Sequence, residues 1–221
     1  MSLYTTPAPA DDLRLPELHK WLASLPAPAL KLDSLRPASS DASFRRYFRI
    51  DGADGATFIV MDAPPPQEDV RPFIHVAGVF GETGVSVPAI LAQDIEQGFL
   101  LLSDLGSTTY LQLLTPDNAH KLYIDAIDAL VHLQIHSKPT VLPEYDRTLL
   151  LRELMLFPEW YVGKHLGLTM TEKQTAAMNQ VFELLLANNL AQAQVYVHRD
   201  YHSRNLCLLY TSPSPRDQRG S

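Results

Sequence analysis

The spacing of apolar residues changes along the chain, and the change falls near residue 104. Before that point, short segments either alternate between apolar and polar residues or are wholly apolar, which predicts β-strands. After it, apolar residues recur every three or four positions, which predicts amphipathic helices. This order predicts an α+β protein with a β-rich first part and a helical second part.

In the first part, a short helix is predicted from Pro16, which opens it, to Pro26, which closes it. A second helix is predicted over Gln67–Glu82. The strand pattern covers the segments Leu30–Leu35, Phe44–Ile50, Thr57–Met61, Gly84–Gln93 and Phe99–Leu102. The second and third of these form a hairpin around a polar turn.

In the second part, the pattern predicts an extended segment, Val195–Val197, which leads from the last helix into a polar loop as a buried strand. The helices that precede it cover 110–114, 116–136, 147–165 and a segment N-capped by Thr171.

Composition narrows the possible partners. The chain has 221 residues, a formal net charge of −7, 46% hydrophobic residues and one cysteine. A nucleic-acid-binding protein is more often basic, so we expect no nucleic-acid partner. No apolar run approaches the roughly 20 residues of a membrane span, and the first residues do not resemble a signal peptide. These features predict a cytoplasmic protein without a membrane contact.

The polar loop contains the candidate catalytic residues. His198-Arg199-Asp200 is followed, five residues after the aspartate, by Asn205. This is the spacing of a phosphotransfer catalytic loop, H-R-D-x-x-x-x-N, in which the aspartate accepts the proton of an attacking hydroxyl and the asparagine reaches Mg²⁺. The alternative is an ordinary polar turn after a strand.

Two earlier segments suit a nucleotide. The small polar residues Ser39–Ser43 precede the hairpin, where backbone N–H groups can face phosphate oxygens. Ser103–Leu105 ends an apolar strand, where exposed backbone can hydrogen-bond an adenine edge. Either segment alone could equally be a simple connection.

A third group of residues suits a sugar. Glu153, Glu159 and Trp160 lie in one predicted helix, and carboxylates beside an aromatic ring can bind sugar hydroxyls and stack on a sugar face. A solvated helix face is the alternative. His120, His132 and His136 have no fourth ligand at a suitable spacing, so a metal site there is not expected.

Several segments together resemble a known family: Val60-Met-Asp-Ala-Pro-Pro-Pro-Gln-Glu-Asp69, Ala92–Leu102, Leu156-Phe-Pro-Glu-Trp160 and Val197–Leu206. They are similar to the aminoglycoside phosphotransferase family, and within it to the N-acetylmuramate/N-acetylglucosamine 1-kinases of bacterial cell-wall recycling. The resemblance covers about residues 15–206 and implies a protein-kinase-like fold of two lobes.

The resemblance also implies an activity, the transfer of phosphate from ATP, with Mg²⁺, to the anomeric hydroxyl of an amino sugar. Asp200 would be the base and Asn205 a Mg²⁺ ligand. The remaining implied positions contact the nucleotide: Ser39, Ser40, Asp41 and Ser43 in the phosphate turn, and Ser103, Asp104 and Leu105 in the adenine hinge.

The chain departs from the family pattern at the strand after the hairpin, Phe58-Ile-Val-Met-Asp62, which has no lysine for the nucleotide phosphates. We expect Arg45, Arg46 or Arg49 to supply the charge, with Arg45 and Arg49 preferred because they share a face. A second departure is that no acidic metal ligand follows Asn205 on a strand.

The last 15 residues, 207–221, resemble a sequencing adapter read in frame. The sequence therefore predicts a flexible arm (1–14), a nucleotide-binding lobe (15–103), an incomplete helical lobe (104–206) and a non-native tail. In this form we expect little activity. Two alternatives stay open: a kinase of another acceptor, such as an aminoglycoside or a choline-like amine, and a kinase-like binding module without catalysis.

Overall fold

The computed structural model describes residues 12–40 and 44–209, with side chains at 12–38 and 44–209. Five strands and six α-helices are assigned in these ranges, together with one π-helix. In chain order they are α1 (Arg14–Ser24), β1 (Leu30–Ser40), β2 (Arg46–Gly52), β3 (Thr57–Asp62), α2 (Arg71–Glu82), β4 (Ile90–Asp94), β5 (Phe99–Ser103), α3 (Tyr110–Leu113), α4 (Ala119–Ile135), α5 (Arg147–Leu156), the π-helix (Phe157–His165) and α6 (Glu172–Leu190).

The strands form one antiparallel sheet in the order β1-β2-β3-β5-β4. In the central pairs, Tyr47 lies opposite Met61 and Met61 opposite Leu100. The sheet followed by helices confirms the predicted α+β class.

One face of the sheet is covered by α1. Leu18, Trp21 and Leu22 of α1 pack on alternate strand residues in the middle of the sheet, and Trp21 lies 5.6 Å from the ring of Phe99. The strand residues in this buried cluster are Ile50, Val60, Phe99 and Leu101. Because successive side chains of a strand point to opposite faces of the sheet, only every second residue of each strand packs against α1.

The opposite face is covered by α2. Met61, Leu100 and Leu102 are buried here with Val70, and Phe73 and Ile74 of α2 pack against them. Both faces of the central strands are thus covered. This explains why β5 is apolar at four consecutive positions and buried at all four.

An ion-pair network connects the start of α1 to the sheet. The Asp62 side chain is fully buried and accepts from Nε of Arg14 and Nε of Arg46, each at 3.0 Å. Arg46 also pairs with Asp12. Because two guanidinium groups neutralise one buried carboxylate, its burial is compensated.

The chain divides into two units, Met1–Ile127 with Tyr201–Ser221, and Asp128–Asp200. In the second unit, Asp146 caps α5 by accepting from the Leu149 N–H at 2.9 Å. Thr171 caps α6 with a capping box. Arg147 and Glu183 join α5 to α6 through a 2.5 Å hydrogen bond.

Several predicted boundaries are corrected. The helix predicted over 147–165 is α-helical only as far as Leu156, and a π-helix follows it. Residues 195–197 are not a strand, because they have no strand partner among the described residues. Residues 85–88 are likewise outside β4, and α2 starts at Arg71 rather than at Gln67.

The helices within the described ranges include none that could cross a membrane.

Candidate active site

A cleft of about 610 Å³ lies in the first unit, at the end of β5. Its walls come from the end of α2 and the segment after it, from the residues that follow β5, and from the last described residues of the chain. They are Gly81, Val85, Ser86, Val87, Asp104, Leu105, Gly106, Thr108, Leu208 and Leu209. The predicted hinge residues Asp104 and Leu105 therefore line a concave site of a size suited to a small ligand.

Leu105 is one of the residues that line this cleft. Neither its N–H nor its C=O has a hydrogen-bond partner in the described part of the chain. The neighbouring Ser103 is engaged differently, since its N–H donates to the Ala89 carbonyl and its Oγ accepts from the Ala89 N–H, both at 2.8 Å. A ligand that offers an acceptor and a donor side by side can therefore bind at Leu105, as the edge of an adenine does.

The side chain of Asp104 points back to the sheet. It accepts from Arg49 Nε at 2.6 Å, from Thr57 Oγ1 at 2.8 Å and from the Gly106 N–H at 2.9 Å. Burial works to raise the pKa of Asp104, but these bonds and the charge of Arg49 outweigh it and lower the pKa. Asp104 thus shapes the hinge, and its side-chain oxygens are engaged by protein groups.

Arg45 lies at the other end of β2, directly before its first residue. Its Nε donates to Glu68 Oε2 at 2.9 Å, and the Phe44 N–H donates to Glu68 Oε1 at 3.2 Å. The two carboxylate oxygens of Glu68 therefore accept from two consecutive residues, Phe44 and Arg45. The sequence placed Glu68 in a predicted helix and in the segment Val60–Asp69, but no spacing in it pairs Glu68 with Arg45.

The phosphate turn predicted at Ser39–Ser43 is only partly within the structure. Ser39 and Ser40 are the last two residues of β1, and nothing is described of their side chains. Asp41 and Ser43 lie outside the described residues. The role predicted for these four residues stays a prediction.

The loop after Asp200 is fastened to the segment that follows the cleft. The Leu111 N–H donates to the Ser203 carbonyl at 3.0 Å, and the Tyr110 N–H donates to the Leu206 carbonyl at 2.8 Å. The Tyr201 hydroxyl donates to the carbonyl of Ala126. These bonds hold the loop that carries Asn205 within the same unit as the cleft.

Asn205 closes a turn in this loop. Its N–H donates to the His202 carbonyl at 2.9 Å, and its Nδ2 lies 3.5 Å from His202 Nε2. A carboxamide oxygen is a hard donor of the kind that Mg²⁺ prefers. No group of three or more acidic, histidine or cysteine side chains suited to a metal ion occurs among the described residues. A Mg²⁺ ion here would therefore depend largely on nucleotide oxygens and water.

Asp200 is the last residue of the second unit, Asp128–Asp200, and its side chain is exposed. The residue before it, Arg199, has a positive φ of 69°, a left-handed conformation that costs energy for any residue except glycine. Its Nη2 donates to Glu153 Oε1 at 2.6 Å, and its guanidinium lies over the Tyr145 ring. The Tyr145 hydroxyl donates to the other oxygen of Glu153.

These contacts change the picture of the predicted sugar site. Hydrogen bonds from Tyr145 and Arg199 lower the pKa of Glu153, so its carboxylate is charged and engaged by protein groups. Glu159 and Trp160 are exposed on the π-helix, and Trp160 is 62% exposed. No contact among the described residues joins them to Glu153, and the substrate roles of the three residues stay predictions.

The phosphotransferase enzyme family matches residues 34–215 of the chain. Three bacterial relatives carry the name N-acetylmuramate/N-acetylglucosamine kinase. The proteins of Pseudomonas aeruginosa and Pseudomonas putida each share 49% sequence identity with this chain over 94% of its length. The protein of Neisseria meningitidis shares 44% identity over 91% of its length. The chain spans 64%, 62% and 60% of the lengths of these relatives.

A solved structure has the same fold. The streptomycin–ATP–APH(2")-IIa ternary complex superposes with a TM-score of 0.55 at 16% identity, covering 92% of this chain and 68% of the other. At this identity the likeness concerns the fold alone. It confirms the protein-kinase-like fold that the sequence predicts.

Proposed function

The chain belongs to the phosphotransferase enzyme family, and we propose that it transfers a phosphoryl group from ATP to the anomeric hydroxyl of an amino sugar. The observation that supports the proposal is the cleft of about 610 Å³ lined by Leu105, whose backbone N–H and C=O have no hydrogen-bond partner among the described residues. The loop His198–Asn205 supplies the chemistry with the spacing that phosphoryl transfer requires.

The adenine ring would lie in the cleft, with its edge on the backbone of Leu105. Apolar side chains suit the faces of the ring, and Val85 and Val87 provide them. The first unit would thus bind the base. The same unit contains Asn205, so the residues proposed to contact both ends of a nucleotide belong to one unit of the chain.

Asp200 would accept the proton of the sugar hydroxyl as it attacks the terminal phosphorus. Its exposed side chain is accessible to a substrate. Asn205 would hold Mg²⁺ through its carboxamide oxygen, and the ion would neutralise charge on the phosphate oxygens. After Asn205 the only acidic side chain in the sequence is Asp217, for which we propose no role.

The sugar is proposed from the relatives, whose names specify N-acetylmuramate and N-acetylglucosamine. The residues considered for it are Glu159 and Trp160, whose exposed side chains offer an acceptor and a stacking surface. Because ATP is a cytosolic substrate, we place the reaction in the cytoplasm.

The experiment measures sugar 1-phosphate by phosphorus NMR with ATP, Mg²⁺ and each of the two sugars, and with streptomycin as a different acceptor. Two proteins are compared: the 221-residue chain, and the chain joined after Leu206 to the corresponding remainder of the P. putida relative. We expect product from an amino sugar in the second, with little turnover in the first, and none after Asp200→Asn. If the joined protein binds ATP but phosphorylates neither sugar, the proposal is wrong.

A further inference from the structure

We propose that Glu153 and Tyr145 are positioning residues, which place the carboxylate of Asp200 by holding the backbone of the residue before it. The positioning role rests on the proposed function, in which Asp200 is the base of phosphoryl transfer. Together with Arg199, these residues belong to the second unit, Asp128–Asp200, so every contact concerned lies within one unit of the chain. Glu153 would then act on the reaction through Arg199 and not by binding the sugar.

The backbone of Arg199 has a conformation that its residue type disfavours. Its φ is 69°, in the left-handed region, where the Cβ of any residue except glycine is crowded by the backbone. In the part of the chain that the structure describes, Thr140 is the only other residue apart from glycines with a positive φ. A conformation of this kind persists where its surroundings hold it. The contacts of the Arg199 side chain are therefore expected to maintain it.

The Arg199 side chain belongs to a triangle of contacts. Its Nη2 donates to Oε1 of Glu153 at 2.6 Å, and its guanidinium lies over the Tyr145 ring, 5.6 Å from the ring centre. The Tyr145 hydroxyl closes the triangle by donating to Oε2 of Glu153. An exposed ion pair alone contributes little, because solvent screens it and both side chains lose freedom. Here Tyr145 contacts both members of the pair, so the three side chains orient one another.

Glu153 is the member of the triangle that is fixed to a regular element. It lies in α5, whose first turn is capped by Asp146. Its two oxygens each accept from a different protein donor, and the hydrogen bond from Tyr145 is the largest cause that lowers the pKa of Glu153. The carboxylate is therefore charged at neutral pH and has a set direction. This is the arrangement of a carboxylate that orients a neighbouring side chain.

The backbone of Arg199 determines where Asp200 lies. A change of φ rotates the rest of the chain about one bond, so a different φ at Arg199 moves the whole of Asp200. Transfer of a proton to a carboxylate requires the hydroxyl within hydrogen-bond reach, and small displacements of a catalytic group lower the rate steeply. Loss of the Glu153 contacts should therefore reduce the fraction of molecules in which Asp200 is in place. This lowers turnover and leaves the affinity for the sugar unchanged.

Steady-state kinetics of the joined protein, the chain continued after Leu206 with the P. putida remainder, tests the proposal. Glu153→Ala is expected to lower kcat at least about fivefold at an unchanged KM for the sugar, because the left-handed conformation is then unsupported. Tyr145→Phe keeps the ring beside Arg199 and removes the hydroxyl, so it should lower kcat by less. A raised KM at an unchanged kcat would show that Glu153 binds the sugar, and the positioning role would be wrong.

Glycine at position 199 separates positioning from a loss of stability. Glycine adopts the left-handed conformation without the cost of a Cβ, so Arg199→Gly should restore part of the kcat that Glu153→Ala removes. All rates are measured well below the melting temperature of each variant, where a change in stability alone leaves kcat unchanged. No recovery in the double variant would contradict the proposal. The control is Glu183→Ala, which removes another exposed ion pair of the same unit, with Arg147, and should change neither kcat nor KM.

Crystal structures of the wild-type and Glu153→Ala forms of the 221-residue chain test the same role without turnover. The wild type should keep a positive φ at Arg199, and Glu153→Ala should lose it and displace the Asp200 carboxylate. An unchanged backbone at both residues in Glu153→Ala refutes the positioning role.

The kinetic outcomes separate the two proposals. If the joined wild-type protein forms product and Glu153→Ala leaves kcat unchanged, the positioning role is refuted and the proposed function stands. If the folded joined wild-type protein phosphorylates neither sugar, the proposed function fails, and the positioning role fails with it.

Discussion

Arg49 and Asp104 form a two-point ion pair that joins the middle of β2 to the residue directly after β5. Nε of Arg49 lies 2.6 Å from Oδ2 of Asp104, and Nη2 lies 3.1 Å from Oδ1. The Asp104 side chain is only 5% exposed. The pair therefore sets the direction in which the chain leaves the sheet, immediately before Leu105.

Asp104→Asn should destabilise the fold, because Arg49, whose side chain is only 21% exposed, loses the carboxylate that it hydrogen-bonds through two nitrogens. We expect a loss of about 2 kcal/mol in the free energy of unfolding, measured by urea denaturation. The control is Asp51→Asn, since the Arg36–Asp51 pair is exposed and should contribute less than about 0.5 kcal/mol. Equal effects of both substitutions would contradict the importance assigned to the buried pair.

The contribution of Asp104 should depend on pH. Its pKa is lowered from the ordinary value of 3.8, so the folded state holds its proton less tightly than the unfolded state. The stabilisation is therefore complete well above pH 3.8 and is lost as the pH falls through the lower folded-state pKa. The wild type should lose its advantage over Asp104→Asn in this acid range, as measured by denaturation at a series of pH values. A constant difference would contradict the cause given for the shift.

Gly98 should tolerate no side chain. Its φ is +74°, and a Cβ there would lie 2.0 Å from the carbonyl oxygen of Ala63, whose N–H donates to the Gly98 carbonyl. Gly98→Ala should therefore cost about 3 kcal/mol or more in stability, seen as a lower melting temperature. Gly78→Ala in α2, where a Cβ meets nothing within 4 Å, should be neutral or stabilising by up to about 1 kcal/mol.

The sheet could be predicted because its signals are local. Alternation in β2 assigned Arg45, Tyr47 and Arg49 to one face, and the apolar run of β5 indicated burial on both sides. The ends of elements were less predictable. Residues 195–197 have a strand composition, yet a strand also requires a neighbour to complete its hydrogen bonds.

The candidate site could be predicted only in part. Spacing predicted the roles of Asp200 and Asn205, which lie at a fixed offset within one segment, and the end of an apolar strand indicated a hinge near Leu105. These roles stay predictions. The partners of Arg45 and Arg199 could not be predicted, because Glu68 and Glu153 are 23 and 46 residues distant in the chain. Contacts of that range depend on the packing of the whole unit, which no local pattern records.

The backbone strain at Arg199 should become measurable as a change in the free energy of unfolding when its ion-pair partner Glu153 is replaced. In the wild type, Arg199→Gly relieves the left-handed conformation and loses the ion pair with Glu153, and the two effects should nearly cancel. In a Glu153→Ala background the ion pair is already absent, so the same substitution should be more favourable by about 1 kcal/mol than in the wild type. Urea denaturation of the four proteins measures this, and equal effects in both backgrounds would exclude the coupling.

Photolabelling of the 221-residue chain with 8-azido-ATP, followed by mass spectrometry of its peptides, tests the assignment of the nucleotide site most directly. The account predicts a label on residues that line the cleft, within Gly81–Val87 or Asp104–Thr108, and predicts that excess ATP prevents it. A label elsewhere in the chain, or one that ATP does not prevent, would contradict the account.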